Sequence, residues 1–413
     1  MNDTFHDRPV LRLVAVVTFI GALLGQFATQ GMGLFLRDAD ASSQIIGLLY
    51  LAAAPYTLRF LWAPLVDRYA PHAERRYTGW IMLCQWAVVL SFVGLCFTDP
   101  AAAPMAIIPI VALFMVALGT QFTALGGLMA GALTVQAHPK GASVQAAASA
   151  SGGMFLGAAV LYLLADLGWT VVVAVLLTIS ILGLVAAAVF APRTETLRTG
   201  GKTVSFFSQL SIFTVPRARW LLLVSILVNS AVLVPYAAKS VLLIDAGLSV
   251  TEGALYGIVL GNAVGALGAV IARRYVERFG GVAFLGVLGL LNALSAGVIA
   301  FVSLDGLDAT ETIIFVVLAN AAVFASFTAS RAVVMGIARP GRQATDIAGY
   351  VGIESIVFLV FVAAGLGVLD DIGVTVITSV GLVLGCLGAL AAFAGGRYLA
   401  PAASREIEGQ DRI

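Results

Sequence analysis

Long apolar stretches separated by short polar segments follow one another along the whole chain. Each stretch has roughly the 20 residues that an α-helix needs to cross a bilayer, where an exposed backbone would find no hydrogen-bond partners. Transmembrane barrel strands would instead alternate over about ten residues, a pattern that we do not find. The sequence therefore predicts an all-α membrane protein with twelve transmembrane helices. These spans are predicted at 10–36, 44–66, 78–98, 104–130, 144–166, 169–191, 218–243, 252–272, 281–303, 311–336, 346–368 and 373–396.

The composition agrees with a membrane protein and excludes other classes. Of the 413 residues, 60% are hydrophobic and only 11% are charged, which is too little polar surface for a soluble protein of this length. The net charge is +1, so we predict no nucleic-acid partner. Cys84, Cys96 and Cys386 lie in apolar spans without metal-ligand spacing, and we predict neither a metal site nor a cofactor.

The basic residues indicate how the spans are oriented. Nearly all of the 23 Lys and Arg fall at the termini and in the even-numbered loops, whereas Arg37 lies in an odd-numbered loop. Loops rich in Lys and Arg stay on the cytoplasmic side of a membrane. We therefore expect a multi-pass protein of the bacterial inner membrane with both termini in the cytoplasm.

The longest stretch that is not apolar lies near the middle of the chain. It divides the sequence into an N-terminal half, 1–191, a cytoplasmic linker, 192–217, and a C-terminal half, 218–413, with six spans in each half. A shift of 206 positions aligns Gly47 with Gly253, Tyr50 with Tyr256, and Arg68-Tyr69 with Arg274-Tyr275. Two parallel six-helix halves resemble the plan of the major facilitator transporters.

Four charged residues lie in the interior of predicted spans, away from their ends, namely Arg59, Lys239, Arg331 and Glu354. A charge in lipid costs at least a few kcal/mol, so such residues usually face a partner or a watery cavity. Three cations against one carboxylate leave an excess of positive charge. This excess favours an anionic small-molecule solute, because an uncompensated buried charge is expensive.

Each of these charges has two interpretations. Arg331 and Glu354 lie at similar depths in consecutive spans, so we expect a pair in which Glu354 either carries protons or fixes two helices together. Arg59 either faces a cavity or pairs with Asp67, two turns along the same helix. Lys239 either contacts the solute or extends to the outer membrane surface.

Uncharged residues could complete a solute site. Gln26 and Gln30 lie one turn apart on one face of the first span, and Gln85 and Gln121 are isolated in apolar surroundings. Tyr236 could form a wall of the site. Each of them is also explained by helix packing, because polar side chains in membranes often bond across helices.

No pattern in the sequence predicts catalysis. We find no Walker-type phosphate loop and no nucleophile–base set, so we predict neither ATP hydrolysis nor another enzyme activity.

The segment DRYAPHAERR, 67–76, resembles the signature loop of the major facilitator transporters. In that family the loop helps to latch the two halves together on the cytoplasmic side. The resemblance implies a gating role for Asp67 and Arg68, with Arg274 and Arg278 as a weaker counterpart in the second half. It also implies a monomer.

The stretch YTLRFLWAPLVDRY, 56–69, continued by RRYTGWIMLCQ, 75–85, resembles two related families. These are the muropeptide permeases and the siderophore permeases of the rhizobactin and pyochelin type, whose pattern is matched here by Arg59, Gly79, Trp80 and Gln85. The length and the twelve spans fit the siderophore permeases better. One departure is that Phe122 and Gly126 stand where these families commonly have acidic residues, so Glu354 becomes the main candidate for a coupling proton.

Together these observations predict a secondary transporter that imports an anionic ferric siderophore with protons, by rocking two halves about a central cavity. An alternative is import of muropeptides or other anionic cell-wall fragments, because residue types do not separate these solutes. A third hypothesis is a membrane sensor that keeps the transporter fold without transporting.

Overall fold

The computed structural model describes residues 3–32, 36, 42–72, 74–99, 102–159, 165–192, 195, 204–205, 208–304 and 308–395. All regular elements within these residues are helical. The α-helices are α1 Asp3–Gln26, α2 Ser43–Leu58, α3 Ala63–Arg68, α4 Arg76–Cys96, α5 Pro104–Ala132, α6 His138–Ala159, α7 Ala165–Phe190, α8 Pro216–Asp245, α9 Val250–Ala254, α10 Gly261–Phe279, α11 Gly281–Val302, α12 Ala309–Ile337 and α13 Gln343–Ala394. Short turns of 3₁₀-helix lie at Arg59–Leu61, Val135–Ala137 and Ser211–Thr214, and turns of π-helix lie at Phe27–Gly31 and Leu255–Leu260.

The predicted all-helical membrane architecture is confirmed. Within the described part of the chain, ten helical segments are long and apolar enough to cross a membrane. The second predicted span is interrupted, because α2 contains Pro55 and gives way to the 3₁₀ turn before α3. The fifth span, α6, is rich in Ser, Ala, Gln and Gly, which makes it less hydrophobic than its neighbours.

Two boundaries differ from the prediction for a shared reason. Helix α6 begins at His138 instead of 144, and α10 continues to Phe279 instead of ending at 272. In α10 the extra turns carry an Arg273–Glu277 ion pair at 2.7 Å, a spacing that supports helix in water. Hydrophobicity marks the length of chain in lipid, so helix that continues into water is not detected by it.

The two halves pack against each other along several helices. Helix α6 contacts α10 and α12, and α5 contacts the first part of α13. One of these contacts is a hydrogen bond from Ser143 Oγ in α6 to the Ala269 carbonyl in α10, at 3.0 Å. These cross-contacts leave a space between the halves whose walls come from both.

The described part of the linker lies against both halves. Gln209 Nε2 donates to the Leu61 carbonyl at 3.1 Å, and Ser211 Oγ accepts from Arg339 and Arg342 at 2.8 and 2.7 Å. The basic loops lie at this end of the bundle, which we call the basic end. The linker therefore contributes to the joint between the halves at the basic end.

Gly373 separates the last two spans within α13, with a φ of 75°. An L side chain is strained in this region, so Gly373→Ala should lower the free energy of unfolding by about 1–2 kcal/mol. The matched control is Gly336→Ala, because a Cβ at Gly336 would meet nothing within 4 Å. Thermal unfolding of both variants in detergent, followed by tryptophan fluorescence, checks this expectation. Equal unfolding temperatures for the two variants would contradict it.

Candidate functional site

A cavity of about 510 Å³ lies between the two halves, within the size range of small-molecule sites. Its lining residues come from both halves and lie in α1, α2, α5, α6, α8, α10, α12 and α13 and in the adjoining turns. The polar and aromatic lining residues are Gln26, Tyr56, Arg59, Phe122, Gln145, Ser149, Tyr236, Asn262, Phe324, Phe327, Arg331 and Ser355. Such a lining can hold a solute with both polar groups and apolar faces.

Arg59 is placed in the cavity by a break in its helix. Helix α2 ends at Leu58, and Arg59 begins a 3₁₀ turn. Its Nη1 donates to the Tyr56 carbonyl at 2.7 Å, and its guanidinium lies 4.5 Å from the centre of the Tyr56 ring. Helix α5 approaches closely at Gly119, where a Cβ would lie 3.2 Å from the Arg59 Cβ. The arginine is therefore held by backbone and an aromatic ring, and no carboxylate in the described residues forms an ion pair with it.

The alternative pairing of Arg59 with Asp67 is wrong, because Asp67 has other partners. Its Oδ1 accepts from Tyr77 Oη at 2.6 Å and from the Ala344 amide at 3.2 Å. Its Oδ2 accepts from the amide and the hydroxyl of Thr345 at 2.7 and 2.6 Å. With four donors in place, this buried carboxylate does not need the arginine.

These contacts form a joint between the halves that we call the Asp67 clasp, made of Asp67, Tyr77, Ala344 and Thr345. Ala344 and Thr345 are in the first turn of α13, where free amide groups and the helix dipole favour an anion. The clasp therefore ties the carboxylate of the first half to a helix N-terminus of the second. Cavity residues Ile347 and Ala348 follow within a turn, so the clasp closes the cavity at its basic end.

A second polar contact lies beside the clasp. Arg339 Nε donates to the Asp346 carboxylate at 2.8 Å, and its hydrogen bonds to this carboxylate raise the already high pKa of Arg339. Because Arg339 also binds Ser211, the linker and the start of α13 are fixed together.

The predicted pair between Arg331 and Glu354 is present. Arg331 Nη2 lies 2.9 Å from Glu354 Oε2, an ion pair whose atoms are not aligned as a hydrogen bond. Ser225 Oγ donates to the other carboxylate oxygen, Glu354 Oε1, at 2.6 Å. Glu354 is only 1% exposed, whereas Arg331 lines the cavity. The carboxylate thus joins α8, α12 and α13, and its arginine partner is in reach of a solute.

The charges around the cavity do not cancel. Glu354 offsets Arg331, whereas Arg59 has no carboxylate partner among the described residues. Lys239 is not in the cavity wall, whereas Tyr236 is. The Lys239 Nζ lies 4.6 Å from the centre of the Tyr236 ring. The cavity is therefore positive, with a further cation one side chain away.

Of the predicted solute-binding residues, Gln26, Arg59, Tyr236 and Arg331 meet at the cavity. Gln85, Gln121 and Lys239 lie outside its lining, and the side chain of Gln30 lies outside the described residues. The helix register of α5 gives the reason for Gln121. Leu118, Phe122 and Gly126 of α5 face the cavity, and Gln121 is rotated by about 100° from Phe122.

The predicted gating residues also differ in position. Asp67 joins the halves, but Arg68 is exposed, with its guanidinium 5.5 Å from the Tyr69 ring centre. Arg274 and Arg278 are exposed as well, and Arg278 lies over its neighbour Phe279. In this conformation the described contacts of these three arginines do not bridge the two halves.

Sequence reasoning did not identify Thr345 as a partner of Asp67, nor Gln145 and Ser149 as cavity residues. A weak signal for Thr345 was available, because polar residues before an apolar run often begin a helix. The cavity position of the others depends on how helices from the two halves face each other.

Comparisons with known proteins agree with this geometry. The family model described as Major Facilitator Superfamily matches residues 11–362. The human organic anion transporter MFSD10 superposes with a TM-score of 0.67 and 17% identity, over 95% of this chain and 100% of that one. The transporter FucP in its outward conformation superposes with a TM-score of 0.67 and 15% identity, over 95% of this chain and 99% of that one. At such identities they show the fold alone.

Curated relatives match with low identity. A Rickettsia typhi protein named "Putative transporter AmpG 3" is 26% identical over 297 residues, which cover 65% of this chain and 69% of that protein. The anhydromuropeptide permease of Escherichia coli K12 is 24% identical over 94 residues, 23% of this chain and 19% of the permease. An uncharacterized Haemophilus influenzae protein is 30% identical over 103 residues, 24% of each chain. The chain thus spans only about a fifth to a quarter of the last two relatives.

Thr345→Val tests the Asp67 clasp, because it removes a donor to a buried carboxylate while keeping the side-chain size. The loss of that bond costs about 1–3 kcal/mol, so conformations open at the basic end should become roughly tenfold more frequent. The reporter is a cysteine introduced by Ala348→Cys after the three free cysteines have been replaced by serine. The measurement is the rate at which a membrane-impermeant maleimide, added on the basic side, alkylates this reporter.

Thr178→Val is the matched control, because Thr178 Oγ1 donates to the Ala174 carbonyl of its own helix on an exposed face. If Thr345→Val and Thr178→Val are alkylated at the same rate, the clasp does not hold the basic end closed.

Proposed function

Since the chain belongs to the Major Facilitator Superfamily, we propose that this secondary transporter imports an anionic cell-wall fragment of the muropeptide class across the bacterial inner membrane, together with protons. The proposal takes the basic end as the cytoplasmic side, as the distribution of Lys and Arg predicts. It combines the chemistry of the cavity with the names of the curated relatives.

The observation that carries the proposal is the unpaired charge of Arg59. A cation in the membrane interior costs at least a few kcal/mol unless an anion or water compensates it. The described residues provide Arg59 with a carbonyl and a ring, neither of which carries a full negative charge. A carboxylate on the solute would supply the missing charge, and the bidentate geometry of a guanidinium suits it.

Arg331 lines the same cavity and supports the same solute class. Its Nη1 is buried without a hydrogen-bond partner among the described residues, although its Nη2 is next to Glu354. The two arginines come from different halves, Arg59 from the first and Arg331 from the second. An anion bound between them would draw the halves together, which is the motion that transport by this fold requires.

The rest of the cavity suits a large solute with apolar ring faces. Tyr56 and Phe122 pack edge to face with 5.7 Å between ring centres, and Phe324 and Phe327 do so at 6.4 Å. Sugar rings present apolar faces to aromatic residues, and peptide stems carry carboxylates. Muropeptides combine both features, and two curated relatives bear names of this transporter class.

Import of a ferric siderophore remains a prediction of the sequence. Siderophores are also large and anionic, so the cavity does not exclude them, but the curated relatives that we compare carry no siderophore name. The sensor hypothesis is also not tested. A cavity between the halves and a clasp at one end provide the moving parts that a transporter needs, which favours transport.

Glu354 is our candidate for the proton-carrying group. When Glu354 is ionised, its charge holds Arg331; when Glu354 is protonated, Arg331 becomes free to bind a solute carboxylate. Proton binding on the outer side and proton release on the inner side would therefore make Arg331 alternate between the solute and Glu354. This alternation couples solute uptake to the proton gradient, because an unpaired buried ion is costly in either state.

Arg59→Gln should lower kcat/KM for uptake of a labelled 1,6-anhydro-N-acetylmuramyl tripeptide by about 10- to 100-fold, because a charge-assisted hydrogen bond contributes about 1.5–3 kcal/mol. Uptake is measured in proteoliposomes with an imposed pH gradient, acidic outside. Arg12→Gln, which changes an exposed arginine of α1 outside the cavity lining, is the control and should transport like the wild type. Wild-type uptake by Arg59→Gln would exclude Arg59 from solute binding.

Glu354→Gln should abolish accumulation driven by the pH gradient while leaving exchange of labelled for unlabelled solute. An amide keeps the hydrogen bond with Ser225 but does not titrate, so the solute site forms without proton coupling. The control is Glu277→Gln, which removes an exposed carboxylate that pairs only on its own helix. Accumulation by Glu354→Gln at the wild-type level would show that the proton is carried elsewhere.

A further inference from the structure

Two amide side chains from opposite halves meet in the cavity at Gly153. Gln26 of α1 and Asn262 of α10 both line the cavity. A Cβ on Gly153 would lie 3.4 Å from Asn262 Nδ2 and 3.6 Å from Gln26 Nε2. Because glycine has no such atom, the gap between the two amides stays open.

Neither amide has a hydrogen-bond partner among the described residues. Asn262 is only 7% exposed, and the remaining exposure is toward the cavity. A buried amide without partners costs free energy, and native proteins usually satisfy such groups. This differs from Asn229 and Asn292, two other buried asparagines in the second half, each of which donates to a backbone carbonyl.

We propose that Gln26 and Asn262 form a subsite that binds an amide group of the solute and selects N-acylated solutes over those that lack the N–H. The inference rests on the proposed function, whose solute it specifies further. The solute amide is an acetamido group or a peptide bond, both of which carry one donor and one acceptor. A side-chain amide offers the complementary acceptor and donors, so a pair of them can bond both sides of the group.

Other solute groups fit this subsite less well. A carboxylate would gain more from the arginines than from two neutral amides, because charge-assisted hydrogen bonds are about twice as strong. An alkyl group would leave both side-chain amides unpaired, and an ester would leave one of their acceptors without a donor.

The subsite lies deeper in the cavity than Arg331 does. An α-helix rises by about 1.5 Å per residue. Gly153 is therefore about 22 Å from the start of α6 at His138, and Arg331 is about 9 Å from the end of α12 at Ile337. Both helix ends are at the basic end, so the two sites differ in depth by roughly 13 Å. An elongated solute can therefore place a carboxylate at Arg331 and an amide at Gly153.

The test compares two ligands on the purified full-length protein in lipid nanodiscs. One is the disaccharide N-acetylglucosaminyl-1,6-anhydro-N-acetylmuramic acid; the other is its analogue with ester oxygens in place of the two acetamido nitrogens. The wild type should bind the acetamido form about tenfold more tightly, because the ester leaves a buried side-chain acceptor without a donor. In Asn262→Leu this ratio should fall to near one.

Gly153→Ala is a second variant that preserves the fold. Its Cβ would fill the gap without a contact shorter than 3.4 Å, and alanine is favoured over glycine in a helix. It should also reduce the tenfold preference. Gly336→Ala, with open space around its Cβ, should keep it.

The outcomes separate the subsite from the function. Equal wild-type affinity for both ligands, or an unchanged ratio in Asn262→Leu and Gly153→Ala, would overturn the amide subsite while leaving a muropeptide transporter. If the wild type bound neither ligand, the proposed function would fail, and the subsite with it.

Discussion

The energetic cost of a positive charge inside a membrane protein is the constraint on which the site depends. Arg59 is buried between two helical halves with a backbone carbonyl and an aromatic ring as its contacts. Nothing in the described protein neutralises it, so its charge is balanced only by water or by a solute. In the proposed function, this charge therefore selects an anionic solute and sets the position where the solute binds.

The second arginine and the clasp use charge differently. Arg331 is balanced by Glu354 within its own half, and this balance can change when a proton binds the carboxylate. Asp67 is balanced across the halves by amide and hydroxyl donors at the start of α13. The first arrangement can respond to the proton gradient, and the second holds one end of the cavity closed. Transport requires both to change in the same cycle.

Most of the fold was predictable from hydrophobicity, because lipid admits few alternatives to helices of about 20 apolar residues. The Arg331–Glu354 pair was predictable as well, since both residues lie at similar depths in consecutive spans. The contact between Asp67 and Thr345 was not predictable from the sequence. The two residues lie far apart along the chain, and they come together only because the two halves pack against each other. Gln121 shows a further limit, since it is rotated away from the cavity by a helix register that composition does not reveal.

The central claim is that an unpaired cation selects an anionic solute, and the binding of one ligand in two charge states tests it most directly. Isothermal titration of the wild-type protein would compare a 1,6-anhydro-muropeptide with its carboxyl methyl esters, which have nearly the same shape. The account predicts that esterification weakens binding by at least about tenfold, the effect of losing one charge-assisted hydrogen bond. Equal affinity for the acid and the esters would contradict it.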